Sequence, residues 1–126
     1  MYSASIENKG DSRHYARTGE YAFTIDTEGR GANPVETLLA GLCGCVGHWT
    51  RDYLRVEQME AKGFGVKAEA EPTGDRKRLL SIDLRINVEG VKLDARHKEG
   101  LHRHVQDCLV YNTLKAGCAI AITVTD

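Results

Sequence analysis

Between Asn33 and Val56 the chain places apolar side chains around nearly the whole circumference of a helix, more than a single small sheet can cover. The segment opens with Asn33-Pro34-Val35-Glu36. Asn caps a helix, Pro suits the first helical position, and a Glu three residues past the cap reaches back to the exposed amide. Leu38, Leu42, Cys45, Trp49, Tyr53 and Val56 then recur at three- and four-residue spacing, with Gly63 as the expected end. Leu39, Ala40, Cys43 and Val46 widen the stripe over the first half. Gly41, Gly44 and Gly47 step through it at three-residue intervals. Each costs a helix roughly 1 kcal/mol against Ala, so the row is expected to admit another helix at close range. A second subunit is the simplest cover, and a homodimer packed through this helix is expected.

Elsewhere the period is two. Tyr2, Ala4 and Ile6 alternate with polar residues, as do Tyr21, Phe23 and Ile25, which predicts a leading β-hairpin with turns at Gly10 and Gly19. Phe64, Val66, Ala68 and Ala70, then Leu80, Ile82, Leu84, Ile86 and Val88, predict a second hairpin around the polar Pro72–Arg78 loop. Helical spacing returns from Asp94 through Leu101, Val105 and Cys108 to about Lys115, with Gly117 as terminator. Ile120, Ile122 and Val124 alternate in the tail. The expected fold is α+β, with the order ββαββαβ and no internal repeat.

At 126 residues one domain over 1–126 is expected, large enough to bury its own core. A formal net charge of -1 supplies no broad field to gather nucleic acid or an anionic membrane, so neither is expected as a partner. The opening MYSASIENKG lacks the pattern of a secretory signal, and Leu38–Gly47 is far shorter than the ~20 apolar residues of a membrane span. A soluble cytoplasmic protein is the expectation, and in that compartment the four cysteines are expected to be reduced.

Cys43 and Cys45 form a C-x-C pair, but residues two apart on a helix point to nearly opposite faces and cannot share one ion. The same holds for His102 and His104, so no metal and no cofactor is expected. Cys45 shares its face with Leu38, Leu42 and Trp49. One reading is an inert core thiol. The other is a nucleophile, which must be a thiolate, whereas an ordinary thiol with pKa ~8.5 is mostly protonated. Cys45 lies about three turns, on the order of 16 Å, past Pro34, beyond the reach of the helix dipole. A cationic side chain would have to act instead. His48, one turn further on, and Arg13 or Arg17 from the first hairpin are the candidates. Cys43 and Cys118 are read as structural, and His97, His102 and His104 as solvent-facing with Lys98 and Arg103.

The run from Gly31 to Cys45, GANPVETLLAGLCGC, and the later Cys108-Leu-Val-Tyr-Asn-Thr-Leu114 resemble the two signature segments of the OsmC/organic hydroperoxide resistance family. The resemblance extends from about Gly31 to the C-terminus; before that only the strand pattern agrees. It implies an intertwined homodimer with the first helices at its centre. By position it implies that Cys45 is the peroxidatic thiol, oxidised to a sulfenic acid by an organic hydroperoxide, and Cys108 the resolving thiol that condenses with it to a disulfide. An external dithiol, of lipoyl or thioredoxin type, is then the implied reductant. The sequence departs from the family pattern at Val35, where the hydroperoxidases carry a Glu that holds an arginine over the reactive sulfur. Glu36 is the neighbouring residue and is read as the cap partner. The family arginine aligns with Lys9 or Arg13, and the proline that commonly follows the resolving cysteine is Leu109 here. These departures leave a second reading, a non-catalytic dimer of this fold that senses redox state or binds a small molecule.

Overall fold

A computed structural model describes residues 1–126 as two compact units, Met1–Ala40 and Gly41–Asp126. The first unit is a three-stranded antiparallel meander: β1 (Ser5–Asn8), β2 (Arg13–Thr18) and β3 (Tyr21–Asp26), with Asn8 opposite His14 and Arg13 opposite Asp26. The turns fall where glycine was expected, at Gly10 (φ 104°) and Gly19 (φ 60°), both in the left-handed region that favours glycine. The expected hairpin has instead become three strands, because β2 lies between the two alternating stretches. Its sequence, RHYART, has no apolar alternation, since Ala16 is the one residue it buries. At the end of β3 Asp26 is 3% exposed, its carboxylate accepting from Ser12 Oγ and from the Glu28 and Arg30 amides.

α1 (Pro34–Val56) starts in the first unit and continues in the second. Its beginning is the expected capping box: Glu36 N–H donates to Asn33 Oδ1 at 2.8 Å, and Asn33 N–H donates to Glu36 Oε1 at 3.1 Å. It ends at Val56, earlier than Gly63, where Gln58 turns the chain with φ 53° and the next strand begins at Gly63. No helix is long and apolar enough to cross a membrane.

In the second unit β4 (Gly63–Pro72) and β5 (Leu79–Glu89) form the expected antiparallel hairpin, in register from Gly63 opposite Glu89 to Glu71 opposite Ser81. Phe64, Val66, Ile82, Leu84, Ile86 and Val88 face inward and Lys67, Glu69, Asp83 and Arg85 outward, as a half-buried antiparallel sheet requires. Leu42, Val46 and Cys108 form the centre of the core, with Val66, Ile82, Leu84 and Ile86 packed against it. Full burial of a side chain such as Leu42 or Val46 contributes about 1.5–3 kcal/mol. Gly47 is where α1 meets β4: a Cβ there would touch the Phe64 ring at 3.6 Å. Gly41 and Gly44 face no atom within 4 Å, so within one chain the glycine row does not receive a second helix.

Two expectations for the C-terminal third fail. The single helix from Asp94 to Lys115 is interrupted, giving α2 (Ala95–His104), a 3-10 turn (Val105–Asp107) and α3 (Leu109–Ala116), with Cys108 extended between them (φ −65°, ψ 125°). Asn112 takes up a carbonyl that the break leaves free, its Nδ2 donating to Gln106 O at 2.8 Å. Neither Gly nor Pro marks this break, so spacing alone ran through it. The final strand is also missing: residues 117–126 form no ladder, and Ile120, Ile122 and Val124 are 83–89% exposed. Alternation supplies a strand face, but a strand forms only where another edge completes its hydrogen bonds.

Candidate functional site

Cys45 comes from the middle of α1 and Cys108 from the break before α3, and the structure joins them in a disulfide across 63 residues of chain. Their Cα atoms are 5.9 Å apart, inside the range such bridges occupy. The bridge replaces the expectation of reduced cysteines for this pair; Cys43 and Cys118 stay free, the former half-buried and the latter exposed.

The two sulfurs differ in setting. Cys108 has no exposed surface, whereas Cys45 is half-buried. As the N-cap of α3, Cys108 accepts the Tyr111 backbone N–H on its sulfur at 3.2 Å. Leu42, Val46, Trp49, Val105, Val110 and Tyr111 complete the surroundings. Val46, Val105 and Tyr111 also line a cleft of about 430 Å³ with Ile82, Leu84, Ile86 and Leu101, beside the polar Lys98, His102 and Gln106.

Of the candidate charge partners, Arg13, Arg17 and Lys9 lie in the first unit and His48 on α1 in the second. Arg13 grips Asp11 through Nε at 2.9 Å and Nη2 at 2.6 Å, within the first unit. This hydrogen-bonded ion pair lowers the Asp11 pKa and raises that of Arg13. His48 is exposed and meets the Trp49 ring edge-on, with centroids 5.3 Å apart. Arg17 and Lys9 are exposed in the first unit.

A polar cluster between α1 and α2 goes beyond what the sequence suggests. His97 and His104 are half-buried rather than solvent-facing, because they lie seven residues apart on one face of α2 and turn toward α1. His104 Nε2 lies 2.8 Å from Asp52 Oδ2, and Tyr53 Oη lies 2.9 Å from His97 Nδ1. Trp49 and Tyr53 present edges to the His104 ring at 5.6 and 5.5 Å. Asp52 also accepts from Arg55 Nη2 at 2.7 Å. The Arg55 bond first and the His104 bond second hold the Asp52 carboxyl below the ordinary carboxylate range. Burial, and then the nearby Glu57 charge, pushes the Tyr53 phenol up. The signal available in sequence was the matched spacing, Trp49, Asp52 and Tyr53 on one helix and His97 and His104 on the other. His102 remains exposed, as expected, with Lys98 and Arg103.

Several solved structures share this fold. An OsmC-like protein from Mycoplasma pneumoniae superposes with a TM-score of 0.82 at 18% identity, covering 93% of this chain and 89% of that one. An organic hydroperoxide resistance protein OsmC from Legionella pneumophila gives 0.67 at 15% identity, covering 91% and 89%. The organic hydroperoxide resistance protein OhrB of Bacillus subtilis gives 0.61 at 14% identity, covering 93% and 92%. No curated protein matches the chain in sequence. Identities this low establish a common architecture, a mixed α+β fold of three helices and antiparallel sheets. The family model described as OsmC-like protein matches residues 27–123, from the end of β3 through both cysteines to the tail, and the chain belongs to the OsmC-like family.

Proposed function

We propose that the protein is a thiol-dependent peroxidase that reduces organic hydroperoxides through Cys45 and Cys108. The observation that carries this reading is the disulfide: two cysteines 63 residues apart are brought to a bonding Cα separation of 5.9 Å. The partly accessible Cys45 thiolate attacks the hydroperoxide O–O bond; an alcohol leaves after taking a proton, and sulfur becomes a sulfenic acid. Cys108 then displaces water from that sulfur to form the disulfide. A dithiol of lipoyl or thioredoxin type supplies two electrons and two protons to restore both thiols, becoming a disulfide itself. Apolar walls favour an alkyl hydroperoxide over hydrogen peroxide, at ~0.8 kcal/mol per buried methylene. The solved relatives described as organic hydroperoxide resistance proteins support the same substrate class.

The working form in this reading is a cytoplasmic homodimer. Its support is the open first half of α1, where Leu38 is 41% exposed and Gly41 and Gly44 meet nothing, together with the uncovered apolar tail. A sedimentation measurement showing only monomer at micromolar concentration would remove this part.

One set of observations favours the second reading, a redox sensor or small-molecule binder without rapid turnover. Val35 stands where the resemblance calls for a glutamate, Glu36 is used in the helix cap, and Arg13 is held by Asp11. One experiment separates the two. Reduced protein is mixed with one equivalent of cumene hydroperoxide, and free thiols and peptide masses are followed with and without excess dithiothreitol. Rapid formation of the Cys45–Cys108 bridge, its loss in Cys45→Ser, and continued peroxide consumption under reductant are expected. Slow oxidation without turnover selects the sensor or binder, and no oxidation of either cysteine overturns both.

A further inference from the structure

Once the disulfide is reduced, only non-covalent contacts keep its sulfurs together. Cys108 then lies between a 3-10 turn and a short helix, its N–H donating to Val105 O at 3.2 Å and its carbonyl accepting from Asn112 N–H at 3.0 Å, so its place against α1 depends on how the segment around it is held. The residues that precede it are tied to α1 directly. Four residues upstream, His104 ends α2 with its Nε2 2.8 Å from the Asp52 carboxylate, and its ring is flanked by Trp49 and Tyr53. Asp52 lies seven residues, two helical turns, beyond Cys45 on α1. The disulfide and the Asp52–His104 pair therefore tie together the same two stretches of chain, α1 between residues 45 and 52 and the segment between 104 and 108. Both side chains of the pair are about three-quarters buried, so water and salt weaken it less than an exposed ion pair.

We propose that Asp52 and His104 are positioning residues that hold the reduced Cys108 segment against α1 and so raise the effective concentration of one thiol at the other. They touch neither sulfur. Their influence passes through the 3-10 turn to Cys108 and through α1 to Cys45. The Tyr53–His97 bond, 2.9 Å, ties the same helices further from the sulfurs and gives α2 a second anchor, against which His104 fixes the end nearer the site. This rests on the redox-pair reading only as far as formation of the bridge, and needs no peroxide turnover.

The test is the equilibrium between the protein and dithiothreitol. In that exchange the protein disulfide gains two electrons and two protons, dithiothreitol closes to its cyclic disulfide, and the constant reports how readily Cys45 and Cys108 meet. Asp52→Ala and His104→Ala are each expected to shift the equilibrium toward the dithiol by on the order of fivefold, the worth of one half-buried charge-assisted hydrogen bond. The double variant is expected to shift it no further than either single one, because the two residues act as a pair. Asp52→Asn, which keeps an acceptor for His104, is expected to recover part of the loss. Arg103→Gln, which removes an exposed α2 ion pair with Glu99, serves as the control and is expected to leave the constant unchanged.

Far-UV circular dichroism of each oxidised variant reports folding; should the alanine variants fail to fold, Asp52→Asn and His104→Gln decide the matter by the same constant. Values within twofold of the wild type, or fully additive shifts in the double variant, overturn the proposal while leaving the redox pair standing. A wild-type protein that forms no bridge in the redox buffer overturns the pair itself.

Discussion

Cys45 retains a path to solvent while Cys108, its disulfide partner, has none. The difference arises from backbone placement: Cys45 lies on the flank of a long helix, and Cys108 caps a short one at the centre of the core. Chemistry at this bridge is accordingly asymmetric, since an external thiol reaches one sulfur before the other.

Alkylation of the reduced protein with iodoacetamide under native conditions is expected to follow that order. Cys45 reacts first of the pair and Cys108 last, at a rate set by local opening of the core. Peptide mapping at successive times measures the order, and early labelling of Cys108 would contradict the burial described for it.

Gly100 on α2 lies against the Tyr53 ring so closely that a Cβ would stand 2.5 Å from the hydroxyl oxygen and 3.2 Å from Cε1. Gly100→Ala ordinarily favours a helix, yet here it has to displace the phenol from its bond to His97. A net loss of about 1–3 kcal/mol is expected, the usual cost of overpacking. Urea unfolding provides the value; a variant as stable as the wild type would mean that Tyr53 has another place to go.

The Asp26 carboxylate accepts the Glu28 amide first, then the Arg30 amide and the Ser12 hydroxyl, and these bonds depress its pKa in the folded protein. A depressed folded pKa makes stability fully present above the unfolded Asp value of about 3.9, to be lost as pH falls through the lower folded value. Asp26→Asn is therefore expected to be less stable than the wild type at neutral pH, with the difference closing at acid pH. Urea midpoints of both proteins across a pH series measure it, and a gap that does not narrow in acid would assign the effect to something other than the charge.

Much of the architecture could be read directly because it depends on neighbours close in sequence. The Asn33–Glu36 cap closes within four residues, and the β4–β5 faces follow from alternation along each strand. Resemblance to a family placed weight on Cys45 and Cys108 together, and a disulfide does connect them. Spacing misled wherever the decisive partner was remote. β2 is a strand because β1 and β3 flank it, although its own residues show no apolar rhythm. Conversely, the tail has the rhythm and no flanking edge, and forms no strand. His104 finds its partner in Asp52, 52 residues away, which nothing near it in sequence foretells.

Local chemistry alone determined the capped helix, the glycine turns, the inward faces of the second hairpin and the presence of two thiols on separate apolar segments. Tertiary structure decided the break before Cys108, the meeting of its sulfur with that of Cys45, and the pairing of Asp52 with His104. The reason is physical: caps, turns and pleats are satisfied within a few residues, whereas a burial site or a long-range bond exists only after the chain has brought distant surfaces together.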